Sequence, residues 1–166
     1  MRPRNRDVAE HTRDPSVDPP ASGTPTGYDP ESGWAHPTCR RAVVHGVALF
    51  NDAAYHDSHD CFEAEWYGYG KGTTESAFLQ GLVQVAAGAY KQTLDQPEGR
   101  RSLLTTALGY LEDVPDDYYG VDVAALRRDA ARAKVDGTAV DDWTITLDGN
   151  VPTAADSDYA FAAEID

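Results

Sequence analysis

From Cys39 onward, apolar side chains return at helical spacing. Val43, Val47, Phe50, Tyr55, Phe62, Trp66 and Tyr69 mark about seven turns. Asn51 and Asp52 interrupt the run, which predicts one helix up to that point and a second, capped by this pair, starting near Ala53. Gly68, Gly70 and Gly72 end the second helix and form a linker. A third helix is expected behind a Thr73–Thr74 cap, running to about Leu94 and burying Phe78, Leu79, Leu82, Val83, Ala86 and Tyr90. Pro97 suits the first turn of a fourth helix behind an Asp95 cap, with Leu103, Leu104, Ala107, Leu108 and Leu111 as its inward stripe. The fifth has the clearest start: Asp122 as N-cap, Val121 stapled against Leu126, and Arg132 and Lys134 near its C-terminal end. Gly137 ends it.

Outside this region the periodicity changes. Residues 1–36 hold six prolines among Gly, Ser, Thr and Asp, which reads as a disordered or loosely packed arm reaching to Thr38. Tyr28 and Trp34 are the residues of the arm able to pack back on a core. Beyond residue 137, Trp143, Ile145 and Leu147 alternate with Thr144, Thr146 and Asp148, the period-two pattern of a short extended segment inside an acidic tail. The expected architecture is therefore all-α: a single-domain bundle of about five helices over residues 39–137, with an irregular N-terminal arm (1–38) and an acidic C-terminal tail (138–166). There is no internal repeat.

Charge narrows the partners. Across 166 residues, 14 Lys and Arg face 28 Asp and Glu, a formal net charge of −14. A chain this acidic is repelled by phosphate backbones, so nucleic acid and anionic membranes are not expected partners. No apolar run approaches the ~20 residues of a membrane helix. Two cysteines are too few for a disulfide framework, and a cytoplasmic location follows as the expectation. Asp dominates the acids and Lys is scarce. In concentrated salt, where screening acts over ~3 Å at 1 M, self-repulsion vanishes and short carboxylates keep the surface hydrated, the balance of a salt-accumulating halophile. Half of the charge sits on residues 137–166, which carry seven acidic residues and no basic ones, so the bundle itself is only mildly acidic.

The predicted second helix carries an unusual polar set. A 100° step places His59, Phe62, Glu63 and Trp66 on one side, which puts His59 and Glu63 at or within the core boundary. His56 and Asp60 form a neighbouring i, i+4 pair. The third helix contributes Gln80 and Gln84, also i, i+4, beside Gly81 and Gly88. Each glycine costs a helix about 1 kcal/mol relative to Ala. The expected return is close approach of a neighbouring helix or of another subunit.

These residues carry a resemblance. LFNDAAYHDSHDCFEAEW (Leu49 to Trp66), followed by FLQGLVQVAAGAY (Phe78 to Tyr90), resembles the family numbered 309 among domains of unknown function. Its pattern is an F-N start, H-E-x-x-E-x-x-W, then a Q-G-L-I-Q-x-A-A helix. Phe50 and Asn51 match the start. His59, Glu63 and Trp66 match the second element, with Asp60 in place of Glu. Gln80, Gly81, Leu82, Gln84, Ala86 and Ala87 match the third, with Val83 in place of Ile. GVDVAAL (Gly120 to Leu126) resembles the closing helix. The resemblance spans about residues 47–127 and implies a small all-α bundle with no established biochemical activity.

Three readings of the polar set stand side by side. In the first, His59, Glu63, Gln80 and Gln84 close a buried network that fixes helix register, with Trp66, Gln80 and Gln84 also the candidates for contacting a ligand. In the second, His56, His59, Asp60 and Glu63 hold a metal, although one helix cannot encircle an ion and Gln is a poor ligand. In the third, Glu63 orients His59 for hydrolase-like acid/base work, and Gln80 or Gln84 binds a carbonyl. Cys61 points away from the imidazole and reads as a small buried residue. The Gly68–Gly72 segment lacks the G-K-S/T ending and strand context of a phosphate loop. The arginine pairs 100–101 and 127–128 read as surface ion pairs, and His11, His36 and His45 as isolated. The first reading leads: a helical-bundle protein acting through binding or self-assembly, needing no cofactor, with an unspecified small-molecule ligand. Gly81, Ala87, Gly88 and the aromatics around Tyr67–Tyr69 are the candidates for a homodimer face.

Overall fold

The computed structural model describes residues 25–165; most of the predicted arm lies outside them. A two-residue hairpin, β1 (Tyr28–Asp29) and β2 (Gly33–Trp34), leads into α1 (Pro37–Asn51), α2 (Tyr55–Trp66), α3 (Thr74–Thr93) and α4 (Pro97–Leu111). A second hairpin, β3 (Asp117–Tyr118) with β4 (Val121–Asp122), precedes α5 (Val123–Val135), a 3-10 turn over Gly137–Val140, and α6 (Asp156–Ile165). The fold is all-α, with two antiparallel two-stranded hairpins as its only sheets among the described residues.

Local chemistry explains most boundaries. Thr73 caps α3 by accepting from the Ser76 amide at 3.1 Å, and Asp122 caps α5 by accepting from Ala125 at 2.9 Å. Pro37 and Pro97 occupy first turns, where a missing N–H is harmless. Two expected caps fail. Asp95 adopts a positive φ of 56° and Gln96 stands at the N-cap of α4 without a side-chain bond. Asn51 caps nothing. Its amide instead donates to the carbonyls of Ile145 (2.9 Å) and Pro152 (2.8 Å), while its Oδ1 accepts from the Ile145 N–H at 2.7 Å. A short-range reading cannot see a partner about a hundred residues away.

The core joins Val43, Val47 and Phe50 of α1, Phe62 of α2, Phe78, Leu79, Leu82 and Ala86 of α3, Leu104, Ala107 and Leu111 of α4, and Leu126 of α5. Tyr90, expected inside, is 37% exposed at the far end of α3. Gly81 and Gly88 let α4 approach α3. A Cβ on Gly81 would lie 2.5 Å from Leu111 Cδ2, and one on Gly88 would lie 2.7 Å from Leu104 Cδ2. Both glycines are thus used inside the bundle, which removes them from the proposed homodimer face.

The described residues that flank the bundle pack onto it. Trp143, Ile145 and Leu147 are buried in alternation with more exposed neighbours, as the period-two pattern predicts. Leu147 bridges to Val121. The stretch read as a plain acidic tail ends in α6, which packs on α1 and α2 around Leu49, Cys61 and Ala162. At the other end Trp34 stacks on Tyr119 with ring centroids 5.7 Å apart.

Candidate functional site

The polar set of α2 lies half-exposed. His59 Nδ1 is 3.0 Å from Asp60 Oδ1 and its Nε2 is 3.4 Å from Glu63 Oε2, with side-chain exposures of 26% for His59 and 39% for Glu63. His56 Nδ1 lies 3.4 Å from Asp60 Oδ2. No hydrogen bond among the described residues joins Gln80 or Gln84 to His59 or Glu63, so the geometry holds an open ion-pair chain along one helix in place of a closed network. Gln80 Oε1 is shielded from solvent and without a hydrogen-bond partner. His56, Asp57 and Asp60 each present a donor atom within 4.8 Å of the others. Three donors from adjacent turns of one exposed helix leave the far hemisphere of an ion to water. Trp66 turns toward α3 and donates from Nε1 to Ser76 Oγ at 3.2 Å.

The sealed polar cluster is elsewhere. Glu65 is buried at the end of α2 and its Oε2 accepts from Thr38 Oγ1 at 2.9 Å and from the Tyr69 hydroxyl at 2.8 Å. Glu75 is buried in the first turn of α3, with His36 Nε2 3.4 Å from its Oε2 and the Tyr118 hydroxyl bonded to it. Burial, reinforced by the nearby Cys39 thiol and Glu65, pushes the Tyr69 hydroxyl far above the ordinary tyrosine range. Tyr118 and Tyr119 are raised the same way, burial again being the larger cause. Burial also raises the Cys39 thiol, so it stays protonated and inert. His36, read as isolated, is therefore a core residue. His45, likewise, lies 2.8 Å from Asp158 through Nδ1.

The arginines act as local anchors. Arg100 is buried and donates to Gln92 Oε1 at 2.6 Å. Arg127 donates to the Leu111 carbonyl at 2.9 Å and to that of Val114, satisfying the C-terminal end of α4, and pairs with Asp116 at 2.8 Å.

Open space lies where the two hairpins meet. A cleft of about 550 Å³ is lined by Tyr28 and Trp34 on one side and by Asp116, Asp117, Asp122 and Asp148 around the rest. Arg40 sits over the Trp34 ring at 4.4 Å and pairs with Asp148 through a 2.5 Å contact. A second cleft of about 380 Å³ includes Trp66, Lys71, Thr73 and Tyr110. A third, about 220 Å³, lies beneath α6. His59 and Glu63 line none of the three.

Residues 43–103 match the model described as Domain of unknown function (DUF309). The chain carries a DUF309 domain. No curated protein matches the sequence. The DUF309 stretch covers α1 from Val43, all of α2 and α3, and α4 as far as Leu103, so it contains the His59 chain and both buried glutamates. The hairpin cleft and α6 are built by the segments flanking it. Among the described residues, no helix is long and apolar enough to cross a membrane.

Sequence reasoning named the α2 residues and Trp66 but missed Glu65 and the cleft. The signal for Glu65 was present: Tyr55, Ser58, Phe62, Glu65 and Tyr69 share helical spacing as well as the His59–Trp66 set does. The cleft had no comparable signal, because its walls come from residues about ninety positions apart.

Proposed function

We propose that this DUF309 protein acts by binding, as a cytoplasmic protein, and that its ligand is a small organic cation held in the hairpin cleft. The observation that carries this reading is the wall composition. Four carboxylates line the cleft, and two of them, Asp148 and Asp116, are paired with Arg40 and Arg127, which do not line it. Asp122 spends one oxygen on its helix cap. The excess negative charge, beside the half-exposed Tyr28 ring, suits an ammonium or guanidinium group with an apolar body. A volume of about 550 Å³ suits a metabolite-sized ligand.

The polar residues of α2 support binding over catalysis. His59 has carboxylates at both ring nitrogens and lines none of the three clefts described above. The test is calorimetric titration of the full chain with spermidine, arginine and tetramethylammonium. Saturable binding of one of them, weakened at least tenfold by Asp117→Asn and unchanged by His59→Ala, supports the reading. Absence of binding by all three, or loss on His59→Ala with Asp117→Asn silent, contradicts it.

A further inference from the structure

Helix α2 carries three carboxylates, Asp57, Asp60 and Glu63, within two turns. Among the described residues their ion pairs are with imidazoles alone: His56 with Asp60, and His59 with Asp60 and Glu63. The arginine–carboxylate pairs of the described residues lie elsewhere, at Asp148 and Asp116. This stretch therefore concentrates negative charge that no described Lys or Arg neutralises. The positive end of the α2 dipole opposes a cation here, but it is a partial charge against three full ones.

Geometry turns that charge into a chelate. His56 and Asp60 are one helical turn apart, so their side chains share a face. His56 Nδ1 and Asp60 Oδ2 lie 3.4 Å apart. An N–H···O bond spans about 2.7–3.2 Å. Two ligands bonded to one ion at about 2.1 Å, at the tetrahedral angle, are instead about 3.4 Å apart. An Asp57 oxygen completes a triangle in which all three donor atoms lie within 4.8 Å of one another. No other group of His, Cys, Asp and Glu among the described residues converges in this way. Neighbours hold the ligands. Tyr90, near the end of α3, meets the His56 ring edge-on with centroids 5.8 Å apart. His59 Nδ1 lies 3.0 Å from Asp60 Oδ1, the oxygen not paired with His56, and Glu63 Oε2 lies 3.4 Å from the other His59 nitrogen. The Asp60 side chain is only 14% exposed, which makes it the fixed member of the set.

We propose that His56, Asp57 and Asp60 bind a divalent first-row transition-metal ion, with His59 and Glu63 as positioning residues behind Asp60. One imidazole and two carboxylates suit an ion such as Zn²⁺, and the imidazole selects against Mg²⁺ and Ca²⁺. Water fills the remaining positions, since all three ligands come from one side of one helix. His59 steadies Asp60 as an outer partner steadies the ligands of protein metal sites in general. The site shares no residue with the hairpin cleft, so it goes beyond the organic-cation reading.

The probe is Zn²⁺ alone, titrated by calorimetry into the full chain without an affinity tag. In about 1 M KCl, screening over about 3 Å removes attraction to the chain's net charge and leaves coordination intact. One saturable equivalent is expected. His56→Ala, Asp57→Asn and Asp60→Asn should each weaken binding at least tenfold, and Asp117→Asn in the hairpin cleft should leave it unchanged. His59→Ala should lose about tenfold, with His59→Gln, which keeps a donor, restoring the affinity. In the wild type, substoichiometric Co²⁺ should broaden the amide signals of residues 56–60 and leave those of Gly120 and Gly149 sharp, a reading that needs no substitution. Absence of saturable Zn²⁺ binding, unchanged affinity in His56→Ala, or Co²⁺ broadening centred on Gly120 and Gly149 would overturn the proposal.

Discussion

His36 Nε2 lies 3.4 Å from Glu75 Oε2 with both side chains sealed from solvent, while His59 Nε2 lies 3.4 Å from Glu63 Oε2 at a half-open surface. Equal distances carry unequal energies, because removing one partner of a buried pair strands the other without water. His36→Ala or Glu75→Leu should therefore cost about 3–5 kcal/mol of stability. His59→Ala or Glu63→Ala should cost about 1 kcal/mol or less. Urea unfolding midpoints of the four variants decide the ranking, and equal losses at both pairs would refute it.

Gly81 and Gly88 set the spacing of α3 and α4. Alanine would gain about 1 kcal/mol in helix propensity at either site. The added methyl at Gly81, however, would sit 2.5 Å from Leu111 Cδ2, and overpacking of this kind costs about 1–3 kcal/mol. Gly81→Ala should lower the melting temperature. An increase would show that α4 yields freely.

How much of this was legible in advance depended on how local each cause is. Thr73 and Asp122 cap their helices through amides three residues away, and a window of a few residues contains that information. Asn51 looked like a cap for the same reason, but its partners Ile145 and Pro152 are distant, and only the folded chain brings them near. On α2 two helical stripes run through Phe62. Hydropathy favours the one ending at Trp66, yet Glu65 enters the core because Thr38 and Tyr69 supply its hydrogen bonds. The hairpin cleft was invisible, since Trp34 and Asp148 become neighbours through tertiary structure alone.

Alkaline pH should destabilise the fold. Tyr69, Tyr118 and Tyr119 have pKa values raised above the unfolded value of 10, so above that pH the unfolded chain loses tyrosine protons that the folded chain retains. Stability is then fully present below pH 10 and falls as pH rises beyond it. Denaturant midpoints should drop steeply between pH 10 and 11. The tyrosinate absorbance of these residues should appear only with unfolding. Early titration of all nine tyrosines would contradict this.

Net charge predicts a salt response. With 28 acidic residues against 14 basic ones, self-repulsion acts over about 10 Å at 0.1 M salt and about 3 Å at 1 M. Melting temperature should climb from dilute to multimolar KCl. A flat profile would remove the halophile reading.

The most direct test of the central claim is a two-dimensional amide and indole NMR titration of the full chain with the organic cation that binds in calorimetry. Perturbations are expected at the Trp34 indole and at the amides of Asp117, Gly120 and Gly149, with those of His59 and Glu63 unmoved. Shifts centred on His59 and Glu63, with the Trp34 indole unchanged, would contradict a binding function in the hairpin cleft.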